Sequence, residues 1–229
     1  MDKNRNKNFK YLDIITGFFV AILLISDIAD TKAITIGFLS FGGGTFLFPL
    51  AYIFGDILTE VYGFKRARRV IWMGFASELL MAVLFSLVNL APASPDYPYA
   101  KDFEHILGLT PRIAIASLTA YFFGEFVNSV VLAKMKILTK GKWLWTRTVG
   151  STIAGELVDT GIFMVIAFYG VFPVPLIISI IVSGYLLKVV TEVVFTPVTY
   201  WVVNTLKKRE HEDYYDKKTK FTPFEFSTN

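Results

Sequence analysis

Gly155-Glu156-Leu157-Val158-Asp159-Thr160 places two acids three positions apart inside a run, Thr148 to Val171, that otherwise reads as a membrane span. A carboxylate in hydrocarbon costs about 2.5–3.5 kcal/mol even on the lenient insertion scale, so two on one segment require a polar environment. The pattern recurs. Gly124-Glu125-Phe126-Val127-Asn128-Ser129 and Gly55-Asp56-Ile57-Leu58-Thr59-Glu60 repeat the order of glycine, acid, two apolar residues and two polar ones. Three such hexads in three apolar segments point to one kind of polar site used repeatedly.

Working outward, the 229-residue chain is 54% hydrophobic and 18% charged, with a mean hydropathy of +0.51. An ordinary soluble domain carries roughly 25% charged residues. The charges are swept to the ends and into short clusters, the pattern of an all-α integral membrane protein. With no cysteine there is no disulfide framework, thiolate chemistry or cysteine metal site, and His105 and His211 both lie outside the apolar runs. The net charge of +4 reads as a topology signal, because Lys and Arg flank spans and do not line a groove; no nucleic-acid partner is expected. Neither a nucleophile elbow nor a Walker motif is present, and Gly42 to Gly44 lack the lysine of a phosphate loop. The expectation is therefore not an enzyme, with no catalytic residue, metal or cofactor. A membrane scaffold and an intramembrane hydrolase built on an acid pair stay open as alternatives.

Six transmembrane helices are predicted over residues 11–29, 46–63, 70–90, 113–133, 148–171 and 176–206. They form a membrane domain over residues 11–206, flanked by an N-terminal tail, 1–10, and a mobile C-terminal tail, 207–229. Lys and Arg number four before the first span, four between the second and third, five between the fourth and fifth and six in the tail. The other connections hold Lys32 alone, then Lys101 and Arg112, then none. This alternation is the positive-inside signature of six spans with both termini cytoplasmic, and Lys65 to Arg69 is read as a topology and headgroup cluster. Gly42 to Gly44 and Pro49 predict an interrupted or re-entrant start to span two. Ala91 to Pro111, with four prolines, reads as an irregular loop over the site's outer mouth, and span six, long for the hydrocarbon core, is expected to tilt, to kink near Pro197 or to extend into the interface.

Eight acids lie well inside the spans, Asp27, Asp56, Glu60, Glu78, Glu125, Glu156, Asp159 and Glu192, against one immersed base, Lys188. On helices Asp56 and Glu60 share a face, as do Glu156 and Asp159. Two carboxylates in low dielectric do not readily ionise together, so one member of each pair is expected to carry a proton or to meet a donor-rich or cationic solute. The plainer alternative is interhelical glue, Glu125 with Asn128 for instance, with the glycines simply permitting close helix packing. Lys188 and Glu192, at i and i+4, are expected to pair with each other or with an acid on another span. Asp27 and Glu78 are the weaker candidates.

With Phe54 to Gly63 and the trailing Arg68-Arg69, the three hexads resemble the vitamin uptake transporter family, the queuosine precursor transporters. Arg112-Ile113-Ala114 with Ser117 and Ala120-Tyr121, Ser151-Thr152 and Lys188-Val189 extend the resemblance over nearly the whole chain, the tail excepted. The resemblance implies a six-span protein of a bacterial or archaeal cytoplasmic membrane that salvages 7-deazaguanine precursors, in the cyano or aminomethyl form, for tRNA modification. Asp56, Gly124, Gly155, Asp159, Thr160 and Lys188 match the family pattern, whereas Glu60, Glu125 and Glu156 stand where members vary. The expected substrate-binding set is Asp56, Glu125, Asn128, Glu156, Asp159, Thr160 and Lys188, with Glu60 and Glu192 for proton coupling. The expected partners are a small-molecule deazaguanine and the lipid bilayer, and a homodimer is compatible. An alternative is the substrate-binding membrane subunit of an ATPase-driven vitamin importer.

Overall fold

A computed structural model describes residues 9–36, 39–108, 111–217 and 219–225. Helix α1 spans Leu12–Asp30, and a short antiparallel hairpin follows, β1 Ala33–Ile36 on β2 Leu39–Gly42, with Ala33 opposite Gly42. The remaining helices are α2 Phe48–Ile57, α3 Phe64–Leu90, α4 Ala100–Leu107, α5 Pro111–Leu138, α6 Leu144–Phe168 and α7 Val174–Glu210. The hairpin departs from a wholly helical reading, and α4 stands where an irregular loop is expected.

Span two is irregular at both ends. It opens with a 3-10 turn at Gly43–Phe46, continues as α2 with Pro49 in its first turn, and closes with a π-helix at Leu58–Tyr62. Proline is tolerated at that start because its missing N–H has no intrahelical acceptor there. The break before α3 is Gly63, at φ 83° and ψ 163°, a backbone region essentially reserved for glycine. The interrupted start is thus as expected, whereas no proline or glycine pattern announces the π stretch. Helix α7 continues through Pro197 for 37 residues.

Glu210, at the end of α7, accepts hydrogen bonds from the backbone N–H groups of Lys10 (3.1 Å) and Tyr11 (2.7 Å) and from the Tyr62 hydroxyl (3.0 Å). The start of α1, the end of the π-helix and the end of α7 therefore share one end of the bundle, here the basic end. At the opposite end Gly43 lies against the Ala29 carbonyl, and Arg112 donates to the carbonyls of Ile166 and Tyr169, both at 2.6 Å. Segment Gly43–Tyr62 consequently runs the length of the bundle, as do the long helices.

Five helices among the described residues are long and apolar enough to cross a bilayer. Their outer faces are apolar, with Leu80, Val83, Leu84 and Leu87 on α3 and Ile178, Val182, Leu186 and Val190 on α7 all exposed. In water such surface would drive association, whereas against lipid it is the expected exterior. The protein is a multi-pass membrane protein. Its apolar core sits near the basic end, where Phe19, Ile57, Leu58, Val61, Tyr62 and Phe64 are buried around the π-helix.

The C-terminal tail, expected to be mobile, is instead docked over residues 211–217 and 219–225. Arg68, read from sequence as part of a headgroup cluster, is buried and donates to the Thr222 carbonyl at 2.7 Å. Asp213 pairs with Lys136 at 2.6 Å and Lys207 at 2.8 Å. Burial pushes the Asp213 carboxyl up, but the hydrogen bonds and charges of Lys136 and Lys207 outweigh it and hold it below its ordinary value. A carboxyl lowered on folding contributes stability that is present above its unfolded value, about 3.9, and lost as pH falls through the folded one. Proteolytic release of the tail should therefore show no step from Asp213 between about pH 6 and 8, and a rise only below the ordinary carboxylate range.

Candidate functional site

Helix α6 turns a polar face inward. Arg147, Thr148, Ser151, Thr152, Gly155, Glu156 and Thr160, spaced at three and four, are all buried. Facing it on α5 are Gly124, Asn128, Ser129 and Lys136. The two helices meet at their hexad glycines. A Cβ on Gly124 would lie 2.7 Å from the Asp159 Cβ, and one on Gly155 would lie 2.8 Å from the Asn128 Cβ and 3.0 Å from the Gly124 carbonyl. A Cβ on Gly55 would reach Glu125 Oε2 at 3.4 Å, so the third hexad faces the same place from α2. The glycines do serve close packing, and that packing brings the acids together.

Seven of the expected residues share this centre. Lys188 Nζ pairs with Glu156 Oε2 at 2.7 Å and Asp159 Oδ2 at 3.1 Å, and it lies 3.4 Å from the Thr160 hydroxyl, which in turn donates to Glu156 at 3.4 Å. The Lys188 partners are thus α6 acids one helix away and not Glu192 on its own helix. Asn128 Nδ2 donates to Asp56 Oδ1 at 3.4 Å. Glu192, also expected at the site, is buried on α7 within electrostatic range of Asp56. Several acceptor atoms are then left over: Asp56 Oδ2, Glu125 Oε2, Asn128 Oδ1, Glu156 Oε1 and both Glu192 oxygens are buried and find no hydrogen-bond partner among the described residues. Leaving buried acceptors unmet costs roughly 1–3 kcal/mol each, so the centre is built to receive donors.

Glu60 goes elsewhere. Fully buried, it accepts from Arg147 Nη2 at 2.7 Å and Nε at 3.2 Å and from Lys207 Nζ at 2.6 Å, with Lys136 at 3.6 Å. The spacing from Asp56 suggests one shared face, but Glu60 stands in the π-helix while Asp56 stands in α2, and three cations from α5, α6 and α7 draw it to the basic end. Those cations are the residues missed by reading the sequence, since Lys136, Arg147 and Lys207 look like span-flanking topology charges. Glu78, a secondary candidate from the sequence, lies close to the centre as well. Buried on α3, it lies within electrostatic range of Asp27 of α1, Glu125 and Asp159. No spacing rule links acids on separate helices.

A buried, acid-rich polar centre built by α2, α5, α6 and α7 thus lies inside a multi-pass membrane protein. The family described as "Putative vitamin uptake transporter" matches residues 42–202, and the chain belongs to it. A "Probable queuosine precursor transporter" of Bacillus subtilis strain 168 is 32% identical over 159 residues, 69% of each chain. The "Queuosine precursor transporter" of Escherichia coli K12 is 28% identical over 170 residues, 72% of this chain and 74% of the relative. A relative from Haemophilus influenzae, "Probable queuosine precursor transporter", is 27% identical over 126 residues, 55% of this chain and 51% of its own. No solved structure matches the chain.

Proposed function

We propose that the protein imports a 7-deazaguanine precursor of queuosine across the cytoplasmic membrane of a bacterium or archaeon, through the centre between α2, α5, α6 and α7. The observation that carries this reading is the set of buried acceptor oxygens on Asp56, Glu125, Asn128, Glu156 and Glu192 without donors of their own. A deazaguanine presents N–H donors along its pairing edge, which carboxylates accept bidentately, and a carbonyl that an amide can read. The names of the relatives support the same substrate class.

In this reading Asp56, Glu125, Glu156 and Asp159 hydrogen-bond the ligand, Asn128 and Thr160 support them, and Lys188 balances charge. Five acids against one lysine suit the cationic aminomethyl form better than the neutral cyano form. Glu192 is the proton carrier, being buried beside Asp56 with both oxygens unmet, and Glu60 holds the basic end together. The docking of Lys10 and Tyr11 on Glu210 supports an even number of crossings, six when Gly43–Tyr62 is counted, and the positive-inside count puts both termini in the cytoplasm.

The test is ligand-induced stabilisation of the purified protein. A base at one hundred times its dissociation constant should add about 2.7 kcal/mol to apparent stability, with the aminomethyl form ahead of the cyano form and guanine. No shift with any deazaguanine removes the substrate assignment. Uptake into proteoliposomes holding this chain alone separates a self-contained importer from a subunit that depends on an ATPase.

A further inference from the structure

We infer that residues 211–217 and 219–225 form a latch across the basic end of the bundle, and that their release is what lets the central site open on that side. The inference rests on the transport reading above for its purpose, but on direct contacts for its geometry. The family match ends at residue 202, so the segment lies outside the matched residues.

Docking runs along both described stretches. The Tyr214 N–H donates to the Val61 carbonyl at 3.2 Å, and the Tyr214 carbonyl accepts from Lys136 at 2.8 Å. Asp216 Oδ2 accepts from the Phe64 N–H at 2.9 Å, one of the orphan donors that opens α3. Further on, Trp72 Nε1 donates to the Pro223 carbonyl at 2.8 Å, and the Phe221 ring lies 5.2 Å from that of Phe64. Two glycines make room. A Cβ on Gly63 would overlap the Tyr214 ring, and one on Gly141 would overlap the Tyr215 hydroxyl. Gly63 and Gly141 also have positive φ, 83° and 76°, so backbone conformation and the seating of the latch depend on the same two positions.

What the latch joins decides its role. Val61 and Phe64 belong to the α2–α3 corner, Lys136 to α5 and Lys207 to α7, and Asp213 bridges the two lysines directly over buried Glu60. Opening the centre toward this end requires the α2–α3 corner to part from α5, α6 and α7, and every such movement breaks latch contacts. The latch is also reversible by construction. The Asp213 side chain is 43% exposed, and ion pairs at such positions hold weakly. A strap of turns, hydrogen bonds and a few aromatic rings is the low-stability end of a structure, where moving parts are found.

The cysteine-free sequence supplies the test. Ser151, buried on α6 between Arg147 and Glu156, is replaced in the otherwise native full chain by the substitution Ser151→Cys, and its labelling by a membrane-impermeant maleimide is followed in inside-out and right-side-out vesicles. The site should be protected in the native chain. Adding Asp213→Asn, Tyr214→Ala and Asp216→Asn should speed labelling from the cytoplasmic face by at least about tenfold, the population shift expected for losing one net hydrogen bond or more. Asp213→Asn alone, which leaves the aromatic seats intact, should give a smaller increase from the same face. Equal acceleration from both faces, acceleration only from the outer face, or none in either variant overturns the latch. Because no substrate enters the assay, its failure leaves the transport reading standing, and a protein that binds no deazaguanine still reports on the latch.

Discussion

Glu60→Gln will lower the stability of the folded protein by about 3–5 kcal/mol, the cost of removing one partner from a buried ion network. The size follows from what remains. Arg147 is 1% and Lys136 2% exposed, and both would be left beside Lys207 without the carboxylate that binds all three. Arg147 keeps hydrogen bonds to the Thr139 hydroxyl and the Lys142 carbonyl, and Lys136 keeps Asp213, so the network weakens without collapsing. Thermal or denaturant unfolding in detergent measures the loss. Adding Arg147→Gln should recover part of it, because the second substitution removes a charge that the first left unpaired. A loss below about 1 kcal/mol would place the cluster in the solvated class, where ion pairs are worth little.

Asp56→Asn should do the opposite, sparing stability and abolishing transport. Asp56 is buried with one oxygen on the Asn128 amide and the other unmet, so replacing it with the isosteric amide keeps the shape and breaks no ion pair. Unfolding should shift by less than about 1 kcal/mol. Uptake should fall by roughly 30- to 1000-fold, since an amide NH2 facing a ligand N–H loses a charge-assisted bond worth about 2–4 kcal/mol. Glu156→Gln and Asp159→Asn should also cut uptake, but with a stability cost, because each removes a partner of the mostly buried Lys188 ammonium. Uptake at the native rate in all three would sink the site assignment.

The contrast between Glu60 and Asp56 shows how far local spacing carries. They stand four residues apart in one hexad, and any helical wheel puts them on one face. The structure assigns one to the basic end and one to the centre because cations from three other helices compete for Glu60, a contest between segments far apart in sequence. Lys188 and Glu192 repeat the lesson. Their i, i+4 spacing allows a pair as readily as a partner on another span, and the structure takes the second: the ammonium reaches across to Glu156 and Asp159, and Glu192 lies within electrostatic range of Asp56.

By itself the sequence determined the solvent, the approximate positions of the long apolar helices and which acids stand in apolar runs and so demand a polar neighbour. These follow from composition and from the free-energy cost of charge in hydrocarbon, both local properties readable one segment at a time. The hexad Gly155 to Thr160 announced its site because an acid in an apolar run demands a polar neighbour wherever the helices go. Only the tertiary structure decided who that neighbour is. It also decided that a tail with the composition of a solvated segment is strapped to the bundle, and that Lys136, Arg147 and Lys207 serve a buried acid. Pairing depends on which helix faces lie opposite, and that is set by packing of the whole chain, here by glycines on α5 and α6 that admit no side chain between them.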